Sequence, residues 1–229
     1  MNRWRIRRVD YLTFSHLDPD HVEGFRVVEQ IALDFRTWRA YPEKQICLLV
    51  PEGLNENIKK LSSQYGPVID FYQKSGFVRL EPFRDQVQVK DVQLTAIPVD
   101  HGSQPVFIYV FEQSGVKVVY APCDLKPFPE HRAELQRPDL LITQPGIFEE
   151  GLKHGFKYPA GHIARKGLYT FEQTMSLAER LQAKEVLFTH LEEYWNRSYD
   201  DYCALEAKNP GICFAYDGMQ VTVPKRSAR

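Results

Sequence analysis

The chain has 229 residues, 43% hydrophobic and 26% charged, and its 29 Lys+Arg against 30 Asp+Glu leave a net charge of -1. That length suits one large domain or two small ones and needs no disulfide or metal staple, while the composition excludes disorder and the balanced charge excludes a chain-wide basic footprint for nucleic acid. No apolar run approaches the roughly 20 residues that span a bilayer, and the basic start, MNRWRIRRVD, lacks the apolar stretch of a secretory signal.

In chain order, Val9–Phe14 reads as a short strand running into a polar loop, Ser15–Gly24. Phe25, Val28, Ile31, Ala32, Phe35 and Trp38 fall at helical spacing, which predicts an amphipathic helix over Phe25–Trp38. Gln45–Val50 reads as a buried strand stopped by Pro51 and Gly53, and Leu54–Tyr65 as a helix closed by Gly66-Pro67. Phe77–Phe83, Gln86–Lys90 and Val92–Val99 then read as a meander. Val106–Glu112 and Val116–Tyr120 flank Gln113-Ser114-Gly115, a hairpin signal. Leu140–Thr143 is a short buried strand. Phe171–Leu181 is a helix with Met175, Leu177, Ala178 and Leu181 inward, and Glu185–Thr189 is a strand. A helix around Tyr199–Ala207 and a strand pair near Phe214–Val223 close the pattern. The expectation is a single α/β domain over residues 1–224, with a polar tail at 225–229.

The four cysteines, Cys47, Cys123, Cys203 and Cys213, form no C-x-x-C pair. They read as free thiols of a reducing cytoplasm, with Cys123 a neighbour of Asp124 rather than a nucleophile.

The densest chemical signal is Ser15-His16-Leu17-Asp18-Pro19-Asp20-His21-Val22-Glu23-Gly24, which packs two histidines and two aspartates into a loop after a strand. Imidazoles and carboxylates at this density suit a borderline divalent metal such as zinc or manganese; the bland alternative is a solvated loop. His101, Asp124 and His190 each follow a β-run, so a loop-borne set could converge at one sheet edge.

That order of residues resembles the metallo-β-lactamase fold hydrolases over nearly the whole chain. Within that superfamily, Pro98-Val99-Asp100-His101, Val118–Asp124, Leu187-Phe188-Thr189-His190 and Tyr216-Asp217-Gly218-Met219 look most like the phosphoribosyl 1,2-cyclic phosphate phosphodiesterases of the carbon–phosphorus lyase pathway. The resemblance implies a four-layer αββα sandwich and two divalent metal ions, zinc or manganese. It implies that His16, Asp18 and His101 hold one metal, that Asp20, His21 and His190 hold the other, and that Asp124 bridges them. Asp20, Asp124 and His162 are the implied catalytic residues, with His162 contacting phosphate as an imidazolium or protonating the leaving oxygen. The bland reading of His162 is helix capping. His154 stays open, and His131 reads as an exposed helical residue.

Three departures follow. Asp18 stands where a second histidine is usual, which hardens the site toward manganese or magnesium. Glu193 stands where some relatives carry a further zinc-binding histidine, so a separate structural zinc is not expected. The motif begins at His16, whereas family members usually carry several dozen residues before it. The usual N-terminal strands are therefore expected to be missing, with Arg3–Arg8 as a lead-in helix and the first sheet open or differently paired at one edge.

The function expected is hydrolysis of a small, cyclic phosphate ester. A nuclease is the alternative, because the competence proteins of the same fold also look like Ser-His-x-Asp-x-Asp-His, and Arg3, Arg5, Arg7, Arg8, Lys225, Arg226 and Arg229 could supply a basic patch. The further alternative is a non-catalytic metal-binding or scaffold protein. The expected partners are a small phosphate ester and a second copy of the chain, with nucleic acid less favoured and no membrane. Trp195 and Tyr199, beside His190, could line a pocket or an interface, but Tyr194, Trp195 and Tyr199 read first as packing residues.

Overall fold

The computed structural model describes residues 6–100, 102 and 104–224. His101, Arg3, Arg5 and the tail at 225–229 lie outside the described residues. The chain forms two compact units, residues 1–87 and 88–229.

In the first unit, Ile6–Asp10 has no regular structure, so the expected lead-in helix is absent from the part of Arg3–Arg8 that is described. Strand β1 is Tyr11–Leu12, followed by the short helix α1, Pro19–Val22. The expected helix over Phe25–Trp38 is broken: a 3-10 turn at Glu23–Arg26 leads into α2, Val27–Ala32, which stops there. Leu33–Asp34 (β2) and Arg39–Ala40 (β3) form a small hairpin instead. Asp34 causes the break. Its carboxylate takes the Arg36 amide at 3.1 Å and the Arg36 guanidinium at 2.9 and 3.1 Å, and its carbonyl accepts from Trp38 at 2.8 Å. This local turn competes with the helix. It turns Phe35 and Trp38 outward, leaving them 72% and 76% exposed.

β4, Ile46–Pro51, is buried along its whole length, as a central parallel strand requires. The next helix, α3, covers only Glu52–Ile58. The rest of the expected Leu54–Tyr65 helix is a turn and a two-residue hairpin, Ser62–Ser63 (β5) with Gly66–Pro67 (β6). Helix α4, Val68–Lys74, was not foreseen. β7, Val78–Phe83, is not part of the meander. It pairs in parallel with β4, giving a three-stranded parallel sheet of order β1-β4-β7 with β1 at one end.

The second unit is built on a seven-stranded sheet whose edge strand β8, Gln86–Val89, begins at the division between the units. β9 (Val92–Val99), β10 (Val106–Gln113) and β11 (Val116–Ala121) continue it antiparallel. The β10–β11 turn has φ of 51° at Ser114 and 79° at Gly115, the two left-handed residues that a two-residue hairpin favours. β12 (Leu140–Thr143), β13 (Glu185–Phe188) and β14 (Ile212–Phe214) then add in parallel to β11. The second member of the expected strand pair near Phe214–Val223 is absent among the described residues. The chain leaves β14 through a turn at Tyr216–Met219, with Gly218 at φ 81°.

Among the described residues, the α-helices accompanying this sheet are α5 (Ala164–Gly167), α6 (Phe171–Arg180) and α7 (Tyr199–Lys208). Phe171, Leu177 and Ala178 of α6, and Leu181 just beyond it, pack into a core with Ile97, Val110 and Val119 of the sheet. Trp195 belongs to this core at 0% exposed, edge-on to Phe148, and is the packing residue expected rather than a pocket or interface residue; Tyr199 is 70% exposed. His131 is exposed but sits in a turn, not a helix. None of the four cysteines is in a disulfide. The architecture is mixed α/β, as expected. Among the described residues no helix is long and apolar enough to cross a membrane.

Candidate metal centre

In the first unit, the chain leaves β1 at Leu12 and reaches α1 through Thr13–Asp18. His16 is buried, at 1% exposed, and its Nδ1 lies 3.0 Å from Ser15 Oγ, which turns Nε2 toward Asp18 Oδ2 at 3.7 Å. Pro19 opens α1, where a missing N–H costs nothing. Asp18 caps that turn with its carbonyl, accepting from His21 at 2.9 Å and Val22 at 3.2 Å, while its side chain makes no capping bond. The carboxylate is thereby kept for another partner. The same turn brings the His21 ring to 3.9 Å from the His16 ring, with His21 Nε2 3.3 Å from Asp20 Oδ2. All four residues of the motif are thus gathered within one loop and one helical turn.

In the second unit the parallel register lines up Ala121, Thr143, Phe188 and Phe214 at the carboxyl ends of β11 to β14. β9 runs parallel to β11 through β10, so Val99 ends on the same edge. Asp124 and His190 leave this edge in the left-handed region, with φ of 52° and 57°. Such a conformation is uncommon away from glycine and collects at functional sites. His190 Nδ1 lies 3.2 Å from Gln144 Nε2 and 3.3 Å from Glu192 Oε1. Gln144 is 5% exposed. Neither Gln144 nor Glu192 is marked by its sequence surroundings; the clue available was their adjacency to a β-run and to His190. Glu193 pairs with Lys153 and is 90% exposed.

His162 sits in the loop before α5, its ring 4.9 Å from Tyr158 and 5.9 Å from Phe156. Its Nδ1 accepts the amide of Ala164, the first residue of α5, at 3.2 Å, although the N-cap position itself is Ile163. Burial holds the Tyr194 hydroxyl above its usual range, with Glu192 and Tyr158 adding to the effect. His154 is exposed, in a left-handed turn at φ 59°.

The donor chemistry fits a divalent ion. The two carboxylate–imidazole pairs of the first loop, at 3.7 and 3.3 Å, match the separation of about 3.3 Å between neighbouring ligands of one tetrahedral zinc at roughly 2.0–2.2 Å.

Residues 2–191 match the family model described as the β-lactamase superfamily domain. The chain belongs to that family. Among solved structures, a diphosphatase described as from the PhnP family superposes on this β-lactamase superfamily chain with a TM-score of 0.64 at 20% identity, covering 98% of this chain and 76% of that one. Zinc-bound PqqB from Methylobacterium extorquens gives 0.62 at 17% identity over 92% of this chain and 70% of the other. The short form of human tRNase Z gives 0.60 at 14% identity over 93% and 79%. At these identities the likeness establishes the metallo-β-lactamase fold. No curated protein sequence matches the chain significantly.

Proposed function

We propose that this chain is a metal-dependent phosphodiesterase acting on a small, cyclic phosphate ester. The reading rests on one observation above all: two sets of metal-type donors, each at the end of a strand, in a chain of the β-lactamase superfamily. His16, Asp18 and His101 would hold one divalent ion, Asp20, His21 and His190 the other, and Asp124 both, with zinc or manganese the best-suited metals. When bound, such a pair acidifies a water and neutralises charge on the attacking and leaving oxygens of an in-line displacement. The protein's own part is orientation. Ser15 fixes the His16 ring, the α1 turn fixes Asp20 and His21, and Gln144 with Glu192 fixes His190. His162 supplies a polar contact to the phosphate. The net charge of -1 gives no general pull on a polynucleotide, which favours a small ester over a nucleic acid.

The test is hydrolysis of bis(p-nitrophenyl) phosphate and of ribose cyclic phosphates by protein loaded with zinc or manganese. Turnover of the small esters, abolished by His21→Ala, is the expected result. Activity confined to RNA or DNA would favour the nuclease, and folded protein that binds no metal would favour a scaffold.

A further inference from the structure

The loop carrying His162 is held by one ion pair. The Arg165 guanidinium grips Glu149 with both arms, at 2.8 and 2.7 Å, and also donates to the carbonyls of Pro159 at 2.9 Å and Tyr158 at 2.7 Å. A planar fork bonded at this many points sets the position of a chain, not merely its charge. Within the loop, the His162 amide donates to Pro159 at 3.0 Å and its carbonyl accepts from Arg165 at 3.0 Å. Tyr158 and Phe156 pack edge-on to its ring. The Glu149 carboxyl is held below its usual range by the Arg165 bonds, so the pair stays ionised at neutral pH.

The Ala164 amide decides the state of the ring. An N–H pointing at Nδ1 from 3.2 Å requires a lone pair there, which puts the single proton of a neutral imidazole on Nε2. An imidazolium would set a second N–H against the Ala164 amide and break that bond. A neutral imidazole can donate a hydrogen bond through Nε2 but has no spare proton to give away. We infer that His162 works as a neutral Nε2–H donor to an anionic substrate oxygen rather than as a general acid, and that Glu149 and Arg165 are the positioning residues that keep it so. The ligand side of this inference rests on the phosphodiesterase reading; the state of the ring does not.

Two measurements test it. Side-chain nitrogen NMR of the labelled protein at neutral pH, with His162→Gln to assign the resonance, should show His162 as the Nε2–H tautomer. Arg165→Gln and Glu149→Gln should each turn that signal into a mixture; the milder Glu149→Gln serves if Arg165→Gln fails to fold. A signal showing the Nδ1–H form or an imidazolium, or one unmoved in both variants, overturns the assignment. On phosphodiesters, His162→Ala should lose on the order of 100-fold, the usual cost of one missing oxyanion donor, and His162→Gln, which keeps a donor but no proton to transfer, should lose clearly less. Equal losses in the two variants would make His162 a proton donor and overturn the proposal. If the parent hydrolyses no phosphodiester, the functional reading fails, and the NMR result still decides the state of His162.

Discussion

His190 shows how much of the site depends on residues that carry no chemical signature. Its Nδ1 faces both a carboxylate oxygen of Glu192 and the amide nitrogen assigned to Gln144. These contacts ask for opposite things, a proton on Nδ1 for Glu192 and a lone pair for Gln144. Turning the Gln144 amide over offers its oxygen and removes the conflict, leaving the proton on Nδ1 and the lone pair that a metal ligand needs on Nε2. A histidine backed by a carboxylate in this way is a better-oriented metal ligand. Glu192→Ala should therefore lower metal affinity by roughly 10- to 100-fold with little effect on folding, measured by competition against a chromogenic chelator. Unchanged affinity would remove Glu192 from the site. The candidate ligands stood out in the sequence, because histidine and aspartate are the residue types a divalent ion takes and they are dense in the first loop. Gln144 and Glu192 did not, because glutamine and glutamate are ordinary loop residues until a fold sets them beside a histidine.

Among the elements, α6 is where local and tertiary signals agree. Thr170 accepts the Gln173 amide at 3.2 Å and Gln173 returns a bond to the Thr170 amide at 2.9 Å, a complete capping box. The helix it opens carries Leu177 and Ala178 into the core as expected, together with Phe171, while Met175 is only half-buried against it. Thr170→Ala should cost about 1 kcal/mol, read as a lowered denaturation midpoint with an unchanged denaturant slope. A change below about 0.3 kcal/mol would mean that packing alone holds the helix. The same comparison explains the expectations that failed. Phe25–Trp38 has helical periodicity, yet Asp34 offers the chain a tighter local turn and ends α2 at Ala32. Leu54–Tyr65 has the right pattern for one long helix, yet a hairpin at Ser62–Pro67 splits it, and Val68–Lys74 takes up the helix beyond. β7 has the same alternation as the meander strands, and its partner, β4, lies across a long stretch of chain. Periodicity shows which face is apolar; it does not show where a turn bond competes or which strand is the neighbour.

For the molecule as a whole, near-equal numbers of cations and anions keep net repulsion small at neutral pH, so stability against pH follows from particular pairs. In the first unit, Arg36 holds the Asp34 carboxyl below its usual range and Lys59 does the same for Glu56. In the second, Arg180 lowers Glu130, Arg165 lowers Glu149, and Arg132 holds Glu134 down to about 2 from an ordinary 4.5. Carboxyls that are more acidic folded than unfolded contribute stability above the unfolded value, and that contribution is lost as pH falls through the folded one. Raised phenols behave oppositely, Tyr120, Tyr199 and Tyr202 among them. Burial raises Tyr72, which also bonds Glu29 at 2.8 Å, and burial raises Tyr194, both above an ordinary 10. Their contribution is complete below about pH 10 and is lost as pH rises further. Thermal unfolding of the chelated protein at constant ionic strength should therefore give a plateau in Tm between about pH 5 and pH 9.5, with a fall below about 4.5 and another above about 10. The acid limb should be graded, because most of these carboxylates lie near the surface, where solvent screens each pair to a small share. Tyr72→Phe removes one of the raised phenols, so it should flatten part of the alkaline limb and leave the acid limb unchanged. A Tm that rose on acidification below pH 4.5 would mean that like-charge repulsion among the carboxylates outweighs these ion pairs.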